Sequence, residues 1–315
     1  MRVLAIDGGG IRGMIPAVVL AELERRAQRP IAELFDLIAG TSTGGILAAA
    51  LTVPGANGKP RASAAEVVTQ YEQLGPRVFS RSLRRRVTSA DGLLDARYDS
   101  AGLRRALADE LGGALLSQTL TDLVLTAYDL EQRRAVFFRT WRAQQDRAQD
   151  FVLAEAVLAT ASAPTYFEPA RVSSLAGGRV GTLVDGGVFA VNPSMCALAE
   201  VALMGRLDEV RVVSLGTGSK TDPIPFERAR GWGRLEWAQP ILDVVFDGAA
   251  DTVDFQAEHL LPSGSYHRFQ PELPRGIELD DARPATIAEL RAIGAQLVRD
   301  RSGDLDAVVA ALTAG

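Results

Sequence analysis

Gly40-Thr41-Ser42-Thr43-Gly44 follows one apolar run, Leu34 to Ala39, and precedes another, Gly45 to Leu51, that reads as a helix. Strand, then G-x-S-x-G, then helix is the setting of a nucleophilic serine. The small flanking residues let the chain turn sharply and leave the hydroxyl exposed at the strand end. Such a hydroxyl needs a base to take its proton. The chain has two histidines, His259 and His267, both far downstream and neither in a glycine-rich strand-end turn. Asp185 offers another base. It closes an apolar segment, Val180 to Val184, and Gly186-Gly187 follow. A free aspartate, with a pKa of about 3.9, is a weak base for a serine. Burial beside Ser42 would raise that pKa by disfavouring the charged form. A late histidine also fits the order Ser…Asp…His of some hydrolases, so that alternative stays open. So do plainer roles: Ser42 and its threonines as a helix cap, and Asp-Gly-Gly as a simple turn.

Attack on a carbonyl creates an oxyanion, which needs donors. Asp7-Gly8-Gly9-Gly10-Ile11-Arg12-Gly13 follows the predicted strand Val3 to Ile6. The N–H groups of Gly8, Gly9 and Gly10 have no side chains in the way, and with the N–H of Thr43 they could hold the developing charge. The helix predicted from Met14 adds a positive dipole end. Arg12 could bind an anion or tie the loop to its neighbours, and Asp7 is expected only to shape the turn.

These turns need elements to position them. Helices are predicted over Met14 to Gln28, Ala64 to Val78, Ser100 to Leu111, Ala154 to Ala161 and from Asn192-Pro193 through Met204. Leu34 to Ala39 and Val210 to Leu215 read as strands, the latter closed by Gly216-Thr217-Gly218. Leu123 to Tyr128 and Ala135 to Phe138 read as a strand pair. A long amphipathic stretch runs from Trp232 to Leu260, Ser265 to Phe269 reads as a final strand, and two helices finish the chain. Apolar strands alternating with helices predict an α/β fold with a largely parallel central sheet and helices on both faces. Strand C-termini of such a sheet gather at one edge, where the three glycine-rich turns would meet. We expect one domain over residues 1–315: a motif-bearing part, 1–220, and a mainly helical C-terminal part, 221–315.

Apolar residues make up 47% of the 315, enough for a sizeable core, and the net charge of −5 argues against a nucleic-acid polymer as partner. The single cysteine, Cys196, excludes an internal disulfide framework and fits a reducing, cytoplasmic compartment. No apolar stretch approaches the roughly 20 residues of a membrane span. No metal-ligand cluster or cofactor is expected.

Taken in order, Asp7-Gly-Gly-Gly-Ile-Arg-Gly13, Gly40-Thr-Ser-Thr-Gly44 and Asp185-Gly-Gly187 resemble the motifs of the patatin-like phospholipases, as do Ala159-Thr-Ala-Ser-Ala-Pro164-Thr-Tyr-Phe167 and Ser214-Leu-Gly-Thr-Gly218. The resemblance covers about Val3 to Gly218. It implies a three-layer α/β/α sandwich and calcium-independent hydrolysis of lipid acyl esters. It also implies a Ser–Asp dyad of Ser42 and Asp185, with Gly8 to Gly10 and Arg12 in the oxyanion loop. Phospholipid or lysophospholipid would be the substrate, met through transient contact with a membrane. Val191 departs from the pattern, since many members have a second asparagine before Asn192-Pro193; the expected effect is on packing near the aspartate loop.

Arg77, Arg81, Arg84, Arg85 and Arg86 lie beside Val78, Phe79, Leu83 and Val87. They suit anionic lipid headgroups, an anionic effector, or a merely solvated surface. The early motifs, with Pro30 to Asp36, are similar to those of patatin-like enzymes activated by cyclic nucleotides, which implies such an activator. Two other readings compete. Gly8-x-Gly10-x-x-Gly13 after a strand formally matches a dinucleotide fingerprint, but an acid at the end of the second strand is then required, and Asp36 lies inside the predicted strand. The other is a storage or binding protein without catalysis, which the presence of both Ser42 and Asp185 disfavours.

Overall fold

Val3, Leu4, Ala5 and Ile6 are all fully buried, as a strand covered on both faces requires. Leu4 and Ile6 join the core on one side of the sheet and Val3 the core on the other, following the two-residue period of a strand. The computed structural model describes residues 1–79, 96–177, 180–219, 223–237 and 240–314. Its strands are β1 (Arg2–Ile6), β2 (Leu37–Gly40), β3 (Asp122–Asp129), β4 (Arg134–Arg139), β5 (Ala170–Ser173), β6 (Val180–Asp185), β7 (Arg211–Leu215) and β8 (Tyr266–Phe269). Its helices are α1 (Met14–Ala27), α2 (Ile31–Leu34), α3 (Thr43–Thr52), α4 (Ala64–Val78), α5 (Ser100–Leu111), α6 (Thr140–Gln145), α7 (Leu153–Ala161), α8 (Ser194–Leu203), α9 (Phe226–Ala229), α10 (Arg234–Trp237), α11 (Pro240–Leu260), α12 (Pro284–Asp300) and α13 (Ser302–Thr313).

One sheet joins β5-β6-β3-β2-β1-β7-β8 in that order, with β4 also on β3. The central strands β3, β2, β1, β7 and β8 run parallel. Residues from α1, α3, α4, α5, α7, α12 and α13 fill the larger core on one face, and residues from α8 and α11 the smaller core on the other. The fold is therefore the expected α/β sandwich. The segment past residue 220 supplies β8, the edge strand against β7.

Three sequence expectations change. Leu34 does not begin a strand: Ile31–Leu34 is a helical turn entered from Pro30, and β2 starts at Leu37. The long stretch to Leu260 holds two helices, and Pro240 opens the second, where a missing N–H is no loss. β5 has no counterpart in the reading, because four residues of alternating Ala-Arg-Val-Ser carry little periodic signal.

The direction of β6 differs as well. Over Val124 to Asp129, β3 pairs with the antiparallel β4 on one edge. The other edge pairs with β2 at residues 122–125 and with β6 at residues 127–129. β2 runs parallel to β3 and β6 runs antiparallel. The two strands thus lie tip to tip along one edge, their C-termini converging at Thr126.

Candidate active site

Ser42 follows the tip of β2 with φ 55° and ψ −121°, a region that residues bearing a Cβ rarely adopt. Its surroundings impose this conformation. The Ser42 N–H donates to Thr160 Oγ1 at 3.0 Å, and its carbonyl accepts from Ile46 N–H at 3.1 Å. Thr41 is anchored beneath it, donating through Oγ1 to the Ala190 carbonyl and lying 2.7 Å from Thr126 Oγ1. Gly44 passes so close to the Ile6 carbonyl that a Cβ there would overlap it. The Ser42 side chain makes no capping bond to α3, so the helix-cap role fails.

Asp185 closes β6, and its side chain is turned to the same point. Oδ1 accepts from Gly187 N–H at 2.7 Å, and the Ser42 hydroxyl is near enough to the carboxyl to lower its pKa. Burial pushes the Asp185 carboxyl up to about 7, against the opposing pull of Ser42 and Gly187. A carboxylate so raised can accept a proton from a hydroxyl near neutral pH.

The glycine loop lies over this pair. Gly8 is a correction to the expected donor set: its N–H is committed to the Val191 carbonyl at 2.9 Å. The N–H groups of Gly9, Gly10 and Thr43 have no hydrogen-bond partner among the described residues. Each belongs to a peptide unit whose carbonyl is engaged: Gly8 O by Thr217 Oγ1, Gly9 O by Arg12 N–H, and Ser42 O by Ile46 N–H. These bonds fix the peptide planes and leave the three N–H groups without a partner among the described residues. Val191 acts at this loop through its backbone carbonyl, which any residue would supply. The nearly buried Arg12 ties the loop to the Gly216-Thr217-Gly218 turn, with Nη1 3.4 Å from the Gly218 carbonyl. Its Nε has no partner among the described residues, and burial lowers its pKa.

Two residues beyond the sequence motifs also hold the loop. Tyr71, on α4, donates to the Gly10 carbonyl at 2.7 Å and hydrogen-bonds Thr43 Oγ1. Arg268, on β8, grips Asp7 through both carboxylate oxygens at 3.0 and 2.6 Å and donates to Ser214 Oγ at 2.8 Å. Asp7 is buried, which raises its carboxyl pKa, and Arg268 opposes that rise. The only sequence hint of Arg268 is an arginine within the last strand.

Ser42, Asp185, Gly8, Gly9, Gly10, Arg12 and Thr43 all line one cavity of about 190 Å³. Away from them the lining turns apolar, with Leu47, Val67, Leu74, Leu103, Leu107 and Phe167. Neither histidine is in the lining. His259 bonds through Nδ1 to the Phe255 carbonyl of its own helix, and His267 pairs in register with Val213. Asp36 binds Arg2 at the opposite end of β2, so no acid stands at that strand's C-terminal tip to meet a ribose. Among the described residues no group of acids, cysteines and histidines is placed to hold a metal ion. Val78 and Phe79 line the cavity, whereas Arg81, Leu83, Arg84, Arg85, Arg86 and Val87 lie outside the described residues.

An α/β sandwich with a strained serine at a strand tip, a buried carboxylate against it and a glycine loop above defines the protein's class. The patatin-like phospholipase profile matches residues 4–198, and the chain belongs to that family. It is 35% identical to patatin-like protein 2 of Arabidopsis thaliana, over 81% of this chain and 70% of that one. It is 32% identical to patatin-like protein 1 of Oryza sativa subsp. indica, over 96% and 82%. A Solanum tuberosum relative, 29% identical over 95% and 86%, is called a probable inactive patatin-3-Kuras 1. Members of the family are lipid acyl hydrolases, though some patatins are inactive.

Proposed function

We propose that the chain is a metal-independent lipid acyl hydrolase of the phospholipase A or lysophospholipase type, working through a dyad of Ser42 and Asp185. One observation carries the reading: the Ser42 hydroxyl stands beside a carboxylate that burial has made basic, at the polar end of an apolar cavity. The acyl chain occupies the apolar part. Ser42 Oγ bonds to the ester carbon as its proton passes to Asp185. The oxyanion is held by the N–H groups of Gly9, Gly10 and Thr43. Its collapse breaks the bond to the alcohol, which leaves with the proton from Asp185. A water then gives a proton to Asp185 and bonds to the acyl carbon. Collapse frees the fatty acid, and Ser42 recovers its proton.

Such a substrate is met at a lipid surface, so peripheral membrane contact belongs to the reading, as does a cytoplasmic location. Among the described residues no helix is long and apolar enough to cross a membrane.

Hydrolysis of p-nitrophenyl esters and of mixed phospholipid vesicles in EDTA tests the proposal. Wild type, Ser42→Ala, Asp185→Asn and the double variant His259→Ala/His267→Ala are compared. Activity lost in the first two variants and kept in the third is expected. Loss in a folded histidine variant would overturn the assignment of the base. If the wild type is silent, cyclic nucleotides are titrated as activators. Silence throughout would favour the non-catalytic reading.

A further inference from the structure

Gly13 ends the glycine-loop motif, yet it is not part of the lining of the cavity that Ser42 and Asp185 share. A Cβ at Gly13 would overlap Thr43 Oγ1 and come within 2.6 Å of Tyr71 Oη. The motif therefore leaves room for a side-chain pair that none of its other residues explains. Tyr71 has one hydroxyl proton, which it donates to the Gly10 carbonyl, an acceptor only. The hydrogen bond between Thr43 and Tyr71 must then run from the Thr43 hydroxyl to Tyr71 Oη. The result is a directed chain, Thr43 Oγ1–H to Tyr71 Oη–H to Gly10 carbonyl, that joins two separate segments. One bears the N–H groups of Gly9 and Gly10, and the other bears the N–H of Thr43. The peptide after Gly10 is held at its other end too, since Ile11 N–H donates to the Leu279 carbonyl at 2.8 Å.

We infer that Tyr71 is a positioning residue for the oxyanion hole, setting the spacing between the glycine-loop donors and the Thr43 donor through its bonds to Gly10 and Thr43. The inference rests on the proposed hydrolytic reading of Ser42. Donors on two independently mobile segments would have to be brought into register at each turnover, whereas a hydroxyl bridge fixes that register in advance. The benefit appears only when an oxyanion exists, so the bridge acts on the transition state more than on bound ester. Burial pushes the Tyr71 phenol up to about 12, which keeps its donor proton in place.

The test compares Tyr71→Phe, Thr43→Val and Thr43→Ser with the wild type in ester hydrolysis. Inhibition by a long-chain alkyl trifluoromethyl ketone, which forms an oxyanion on the serine, and by the free fatty acid, which does not, is measured alongside. Tyr71→Phe and Thr43→Val are expected to lower kcat by about 10- to 100-fold, as misplacement of aligned groups does, with KM changed less than about threefold. The ketone's Ki should rise in proportion to the loss of kcat/KM while the fatty acid's Ki stays put. Thr43→Ser, which keeps the hydroxyl, should restore most of the rate. The double variant Tyr71→Phe/Thr43→Val should lose little more than either single one. A folded Tyr71→Phe enzyme with wild-type kcat would overturn the positioning role, as would equal weakening of ketone and fatty acid. If Tyr71→Phe fails to fold, the contrast between Thr43→Val and Thr43→Ser decides. Ser42→Ala separates the two levels: unchanged hydrolysis there sinks the hydrolytic reading itself.

Discussion

Ser42 and Asp185 meet because their strands approach each other head-on along a single edge of β3. β2 delivers the serine from one side and β6 delivers the aspartate from the other, with Thr126 between the tips. Neither residue comes from the same turn or strand pair as the other. Their approach therefore depends on the register of two strands against a third.

With Asp185 as the proposed base, its raised pKa sets a pH profile for hydrolysis. Asp185 must be ionised to accept the serine proton, so kcat/KM should climb with pH through about 7 and then level off. The profile is to be taken with a neutral ester over pH 5 to 9. A flat profile across this range would be incompatible with Asp185 as the base.

The same shift weakens the fold at high pH. The sign follows from proton counting: between 3.8 and about 7 the folded state holds a proton at Asp185 that the unfolded state has lost. Stability therefore falls as pH rises through that window. The full shift corresponds to about 4 kcal/mol. Asp185→Asn should be inactive yet more stable than wild type at pH 8, with the gap closing toward pH 4. Thermal melts at both pH values check this, and a variant less stable than wild type at pH 8 would contradict it.

Backbone strain at Ser42 predicts an unusual order of stabilities. Exchanging alanine for glycine ordinarily costs a protein about 0.5–1 kcal/mol through the freedom gained by the unfolded chain. At φ 55° and ψ −121° the Cβ itself carries a cost of about 1–3 kcal/mol, which glycine escapes. Ser42→Gly should therefore match or exceed Ser42→Ala in urea denaturation. A glycine variant clearly the weaker of the two would mean that no strain is held there.

The ion pair between Asp7 and Arg268 has a buried carboxylate and a nearly buried guanidinium. Removing one partner of such a pair typically costs about 3–5 kcal/mol, because the other charge is stranded. Arg268→Met should lose stability on that scale, more at pH 8 than at pH 5, since Asp7 can take up a proton at the lower pH. Adding Asp7→Asn should recover part of the loss. Denaturation of the single and double variants measures it, and a double variant no better than Arg268→Met would show that stranded charge is not the cause.

The motifs were legible because each is a local pattern: glycines after an apolar strand, a serine among small residues, an aspartate before two glycines. Gly8 was legible as part of the loop but not as a spent donor, since Val191 lies far along the chain. Tyr71 was not legible, Arg268 only as an arginine in a strand, and Thr160 only as part of a motif with no partner assigned. Each acts through contacts to residues distant in sequence, and a tyrosine or threonine on a helix gives no sign of its partner. Alternation reveals a strand but not its direction. Asp185 was thus expected at the end of a parallel strand, and it reaches the same point at the end of an antiparallel one.

The grip of Arg268 on Asp7 also sets an order of assembly. Asp7 is made early, and the cation that holds it follows 261 residues later, in the last strand of the sheet. Contacts so distant in sequence form late, once the intervening chain has been made and closed into the sheet. A nascent chain can present the serine long before the loop above it is secured. Whatever chemistry the loop supports therefore reaches full strength only in molecules translated past β8.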